Sequence, residues 1–178
     1  AIKADAYIEW NKDARITILE FSELLCPYCK RQSDSKVMET LVSKYWKDVN
    51  TAFMHFIVHG EPAQKIAQAA ECAWEIGWAK AFHSYITKGF DLEDKSEAGM
   101  IALAKEIWVK ESSFKACISS DKFISKVTQN TQDWAQLFGV TWTPGNVIID
   151  NEKWTFTLIA WAYPIEKFEE EINKILWK

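Results

Sequence analysis

Hydrophobic residues fall into two spacings along the chain, and the order of those spacings defines a candidate architecture. Arg15-Ile16-Thr17-Ile18-Leu19-Glu20-Phe21 is a run of β-branched and apolar residues, which predicts a buried strand. From Pro27 to about Trp46 the period lengthens. Val37, Leu41 and Tyr45 recur on one stripe with charges opposite, predicting an amphipathic helix. Thr51 to Val58 is again an apolar run and predicts a second strand, completing a β–α–β unit with parallel strands. After Gly60 and Pro62 helical spacing persists. Ile66, Ala69, Ala70, Ala73, Ile76, Ala81 and Tyr85 share one face, Met100 to Trp108 gives a short helix, and Phe123, Val127, Trp134 and Phe138 mark another. This block, residues 61–139, is too long for a loop and predicts a helical subdomain inserted between residues 1–60 and 140–178. Strand character resumes at Asn146 to Asp150, and a turn at Asn151-Glu152 leads into Thr155 to Ala160 as a hairpin. Pro164 opens a last helix, with Ile165, Phe168, Ile172, Ile175 and Leu176 as its buried stripe. Residues 1–13 are polar and irregular, an edge segment or lead-in.

Composition narrows the function classes. A chain of 178 residues fits one domain carrying an insertion, and 48% hydrophobic residues suffice for a core. The net charge of −4 comes with no basic patch, so nucleic acid is not indicated as a partner. No apolar run approaches the length of a membrane span. The sequence starts at Ala1 without Met or a signal-type hydrophobic segment, as a processed exported protein or a trimmed chain would. Four cysteines permit two disulfides and an oxidising compartment.

The candidate chemistry sits at the junction of the first strand and helix. Cys26-Pro27-Tyr28-Cys29 places two thiols one helical turn apart where a helix begins, the layout of a redox site. Unpaired backbone N–H groups and the positive end of the helix dipole stabilise a thiolate there. Pro27 suits the first helical position, where its missing N–H costs nothing. Cys26 is expected to be the exposed attacking sulfur and Cys29 the resolving one. The alternative is half of a zinc site, which needs four ligands. Cys72 and Cys117 stand alone, and His55, His59 and His83 lack ligand spacing to them. No metal site is therefore expected.

Together these motifs resemble the DsbA-like thiol–disulfide oxidoreductases, over about residues 15–172. The resemblance rests on Glu20-Phe21 before Cys26-Pro27-Tyr28-Cys29, His55-Phe56 before Pro62-Ala63, and Ala69-Ala70-Glu71-Cys72-Ala73. It continues through Phe114-Lys115-Ala116-Cys117 and Gly139-Val140-Thr141-Trp142-Thr143-Pro144. It implies an α/β, thioredoxin-like fold (residues 1–60 and 140–178) carrying the all-helical insertion. Pro144 matches the family's cis-proline beside the active-site sulfurs, and the Thr143 backbone would pair with an extended substrate peptide. Glu20 matches a buried acid that relays a proton to or from Cys29. Cys72 and Cys117 would join two helices of the insertion, or remain two buried free thiols. The activity implied is a dithiol oxidase acting on reduced or unfolded exported proteins outside the cytoplasm. It would use no organic cofactor, and a quinone-linked membrane partner would reoxidise it. A reductase or isomerase, and a redox-inactive peptide-binding module, are the alternatives.

The sequence also departs from the family. Glycine is common in relatives where this chain has Trp10 and Trp142, and also at Trp46, Trp74, Trp108, Trp134 and Trp161. Tryptophan occurs 10 times and glycine only 6, against the usual glycine share of about 7%. A source organism that reads UGA as glycine would account for both counts, whereas genuine tryptophan enrichment, the alternative, would leave the glycine shortage unexplained.

Overall fold

The computed structural model describes residues 7–177, with Asn130 described by its backbone alone; residues 1–6 of the expected lead-in lie outside that range. Among the described residues, five strands form one mixed sheet. They are β1 (Tyr7–Glu9), β2 (Ile16–Ser22), β3 (Val49–His55), β4 (Gly145–Asp150) and β5 (Thr155–Ile159), in the spatial order β1-β3-β2-β4-β5. The β2–β3 pair is parallel, and the β1–β3, β2–β4 and β4–β5 pairs are antiparallel. The central strand β2 is buried on both faces, as its near-continuous apolar sequence requires.

Alternation along β2 sorts the core. Ile16 and Ile18 point to one face, where they meet Val37, Leu41, Ile148, Phe168 and Ile172. Leu19 and Phe21 point to the other and meet Met54, Val147, Ala135 and Phe138. Glu20 has the parity of Ile16 and Ile18, so the strand carries its carboxyl toward the helices on that side.

The expected first helix is two: α1 (Pro27–Asp34) and α2 (Val37–Lys44). Lys36, at φ 50°, breaks the run, and the Ser35 hydroxyl donates back to the Arg31 carbonyl at 2.8 Å. The polar stretch Ser33-Asp34-Ser35-Lys36 offers no apolar contact to hold a continuous helix. The second strand also differs from expectation, since β3 starts at Val49 and stops at His55.

The helical block comprises α3 (Glu61–Gly89), α4 (Glu97–Glu106), α5 (Glu111–Ile118), a π-helical turn (Lys126–Asn130) and α6 (Thr131–Phe138). The hydrophobic pattern did not mark α5. Only Phe114 and Cys117 of its eight residues are buried, too few to show a period. The α3 helix kinks at Trp78, which has non-helical φ 60° and ψ −159°. Helix α7 (Ile165–Leu176) closes the chain, burying Phe168 and Ile172 of the expected stripe. The hairpin turn is longer than Asn151-Glu152, because strand pairing resumes only at Asp150↔Thr155.

Candidate active site

Cys26 caps α1. Its backbone is extended (φ −78°, ψ 119°), Pro27 follows in the first turn, and its sulfur accepts the Cys29 N–H at 3.4 Å. This is where a helix presents unpaired donors to an anion. Across the site the chain turns through a cis Thr143–Pro144 bond, and the Thr143 carbonyl lies 3.5 Å from Cys26 Sγ. Gly145 then starts β4. A Cβ there would fall 2.5 Å from Val140 Cγ1, so only glycine allows that close approach.

The two sulfurs have opposite electrostatics. Cys26 is drawn down from 9.0 to about 5, first by the hydrogen bond it receives from the Cys29 thiol. Burial opposes this, and the Thr143 hydroxyl and the Cys29 and Tyr28 N–H groups add to it. Cys29 is pushed far above the ordinary thiol range, mainly by burial and then by its bond to Cys26. In the reduced pair, Cys26 is thus the thiolate and Cys29 holds the proton.

The attacking sulfur is not exposed as expected: Cys26 is 1% accessible, because its sulfur turns under the Thr143 carbonyl instead of toward solvent. The exposed members of the motif are Pro27 and Tyr28, and the Arg31 guanidinium lies 5.1 Å from the Tyr28 ring centroid. Thr143 is itself enclosed, and its carbonyl faces Cys26.

Glu20 lies on β2, beside a cavity that neither cysteine lines. It is partly buried, and the cavity, of about 170 Å³, is also lined by Gln32, Glu39, Glu9, Trp10 and His83. Burial raises its pKa to about 7, with Glu39 adding, while hydrogen bonds from Ser22 and Gln32 oppose. The Ser22 side chain also lowers the Cys29 pKa, against the larger effect of burial.

Two residues beside the site carried no sequence signal. Glu23, 1% exposed, accepts the Val58 N–H at 2.5 Å and the His59 N–H at 2.9 Å, and pairs with His59 Nδ1. Its own carbonyl accepts the Cys26 N–H at 3.1 Å. Glu23 therefore ties the segment after β3 to the loop that carries the reactive sulfur. The His59 ring lies 6.4 Å from that of Trp142, which is 47% exposed beside Thr143. A buried acid in a loop has no periodicity, so only the folded chain reveals its partners.

Cys72 and Cys117 sit elsewhere. They form a disulfide across α3 and α5 with Cα atoms 5.8 Å apart. His55 also lies away from the sulfurs' chemistry. Its Nε2 is 3.5 Å from Glu71, which pairs with Lys126 at 2.7 Å and accepts from Tyr7. That buried group fastens the end of β3 to α3. Among the described residues there is no cluster of three or more His, Cys, Asp or Glu able to hold a metal ion.

A thioredoxin-type sheet with a two-cysteine helix N-terminus facing a cis-proline defines a thiol–disulfide class of site. The comparisons narrow it. A family model described as thioredoxin matches residues 10–174, and the chain belongs to that family. The chain is 25% identical over 142 residues to Disulfide bond formation protein D of Bacillus subtilis (strain 168), covering 74% of this chain and 62% of that one. DsbA2 of Pseudomonas aeruginosa superposes with a TM-score of 0.81 at 26% identity, covering 96% of this chain and 94% of that one. BdbD of Bacillus subtilis superposes at 0.83 with 22% identity, covering 100% and 96%, a likeness of fold. The chain is DsbA-like.

Proposed function

We propose that this protein is a dithiol oxidase that introduces disulfides into reduced exported proteins through Cys26-Pro27-Tyr28-Cys29. The observation that carries this is the placement of the two sulfurs. Cys26 Sγ caps α1 and accepts the Cys29 N–H at 3.4 Å, while Cys29 is fully buried. This draws the Cys26 pKa down to about 5 and pushes that of Cys29 up. Stabilising the thiolate stabilises the reduced enzyme and makes its disulfide a stronger oxidant. Each tenfold gain in that stabilisation moves the potential by about 30 mV.

The reaction balances as two exchanges. A substrate thiolate attacks Cys26 Sγ of the Cys26–Cys29 disulfide, breaking the S–S bond and releasing Cys29 as a thiolate. Cys29 takes up a proton, and Glu20, whose burial raises its pKa to about 7, is assigned as the donor. A second substrate thiolate attacks the substrate sulfur of the mixed disulfide and expels Cys26, whose low pKa makes it a good leaving group. The substrate loses two electrons and the enzyme holds them as a dithiol. Extended substrate would lie along Thr143 and Pro144, displacing the carbonyl that covers Cys26. Reoxidation falls to a quinone-linked membrane partner, and the setting is extracytoplasmic.

The test is the Cys26–Cys29 potential in glutathione buffers, with Cys26 ionisation followed by thiolate absorbance. A potential toward the DsbA value of about −120 mV is expected. A potential near the thioredoxin value of about −270 mV would replace the oxidase by a reductase.

A further inference from the structure

Six non-glycine residues among those described have φ in the left-handed region. Two are Lys36 and Asp121; the other four are Trp10 (φ 66°), Trp78 (60°), Trp108 (65°) and Trp154 (55°). Four of the ten tryptophans thus share a backbone that crowds any Cβ and that glycine adopts freely. Aspartate tolerates it through short-range hydrogen bonds, a device an indole lacks.

Two of these tryptophans have a glycine counterpart in the same chain. Helix α4 ends through Ala104-Lys105-Glu106-Ile107-Trp108-Val109. There the Trp108 N–H reaches the Lys105 carbonyl at 3.0 Å and the Val109 N–H reaches Ala104 at 2.9 Å. Helix α6 ends through Ala135-Gln136-Leu137-Phe138-Gly139-Val140. There the Gly139 N–H reaches Gln136 at 3.1 Å and the Val140 N–H reaches Ala135 at 2.8 Å. Both ends are the same Schellman closure, with a buried valine following the left-handed residue. Gly139, at φ 73°, holds in one the place that Trp108 holds in the other.

The second pair lies on α3. Gly60, which precedes the helix, has φ 72° and ψ −153°, and Trp78 at the kink has φ 60° and ψ −159°. That corner of backbone space is essentially confined to glycine. Trp154 ends the β4–β5 turn, its N–H on the Asp150 carbonyl at 2.9 Å, where a left-handed glycine commonly re-enters a strand.

The fold makes little use of the indoles themselves. Trp78, Trp108 and Trp154 are 72%, 95% and 80% exposed, and no tryptophan belongs to the buried core. These positions ask for backbone freedom and not for a large side chain.

We propose that Trp10, Trp78, Trp108 and Trp154 stand where the source organism's ribosomes insert glycine. The four codons are UGA, read there as glycine and in this sequence as tryptophan. UGA is one base from the tryptophan codon UGG and one from the glycine codon GGA. A single change of meaning therefore raises one count and lowers the other, as 10 and 6 show. Extended to Trp142, it removes a half-exposed indole from beside Thr143. That consequence alone rests on the oxidase function.

The experiment has two arms, neither of which needs a redox assay. In genomic DNA from the source, UGA at the four positions, with glycine in tryptic peptides of the native protein, is expected; UGG codons overturn the proposal. In recombinant protein, W10G/W78G/W108G/W154G is expected to melt several degrees above the parent. W177G, which removes an exposed indole outside the left-handed region, is not. A fourfold variant melting at or below the parent overturns the proposal, and W108G alone repeats the comparison at one helix end.

Discussion

The molecule contains two pairs of cysteines that chemistry treats differently. Cys72 and Cys117 are 45 residues apart in sequence and joined across two helices, inside a cluster of alanine, leucine and aromatic side chains. Cys26 and Cys29 are free thiols, also buried, at a helix N-terminus facing the Thr143 carbonyl. Burial therefore does not separate the structural pair from the reactive one. Oriented donors do: Cys26 has N–H groups and a neighbouring thiol aimed at it, so its anion is stabilised despite being enclosed. A bond between distant helices restricts the unfolded chain, whereas one between near neighbours restricts little and can be made and broken as chemistry requires.

The sharpest way to break this contrast is to remove one sulfur at a time. Cys26→Ser should lower oxidation of a reduced peptide to the uncatalysed rate. Cys29→Ser should instead accumulate mixed disulfides at Cys26, visible on non-reducing gels. If Cys29→Ser stays free while Cys26→Ser forms adducts, the assigned roles are reversed. The double variant Cys72→Ala/Cys117→Ala should keep the Cys26–Cys29 potential and lose about 4 kcal/mol of unfolding free energy in denaturant titrations. A large shift in potential there would show that the two pairs are coupled.

Smaller effects sharpen the electrostatic half. Alkylation of the reduced protein should follow the Cys26 thiolate, nearly flat above about pH 6 and falling tenfold per unit below about pH 5. The same shift appears in stability. Because the folded pKa is depressed, ionised Cys26 stabilises the reduced fold fully above the unfolded value near 9 and not at all below about 5. Reduced wild type should therefore lose its advantage over reduced Cys26→Ser as pH falls through that window.

Glu20 carries the opposite sign. Its folded pKa is raised to about 7 from 4.5, so ionising it costs stability above pH 7 and nothing below about 4.5. Glu20→Gln should be more stable than wild type at pH 8, equal at pH 4, and slower in the protonation of Cys29. The smallest expected change is at the loop tie. Glu23→Ala leaves two backbone N–H groups and His59 without their acceptor, a loss of about 1–3 kcal/mol, and loosens the loop before Cys26.

Much of the fold was legible because its signals are local. The alternation of Ile16 to Phe21, the stripe of α7 and the long helical spacing of α3 each reflect one face buried against one core. Where no period existed, the pattern failed. The α1–α2 break depends on a single left-handed residue, Lys36, and α5 buries only Phe114 and Cys117. Trp10 and Trp108 were suspected as glycine positions from the sequence, but Trp78 and Trp154 emerged only from their backbone angles.

By itself the sequence determined which sulfurs open a helix, which proline stands before a strand, and which residues alternate into a sheet, since spacing along one element sets these. Tertiary structure decided what surrounds the sulfurs. It set Thr143 against Cys26, buried Cys29, placed Glu20 beside its own cavity, and locked Glu23 onto the Val58–His59 segment. Those partners lie far apart in sequence, and the energy of a charge depends on its distance to every dipole around it, a quantity that exists only once the chain has folded.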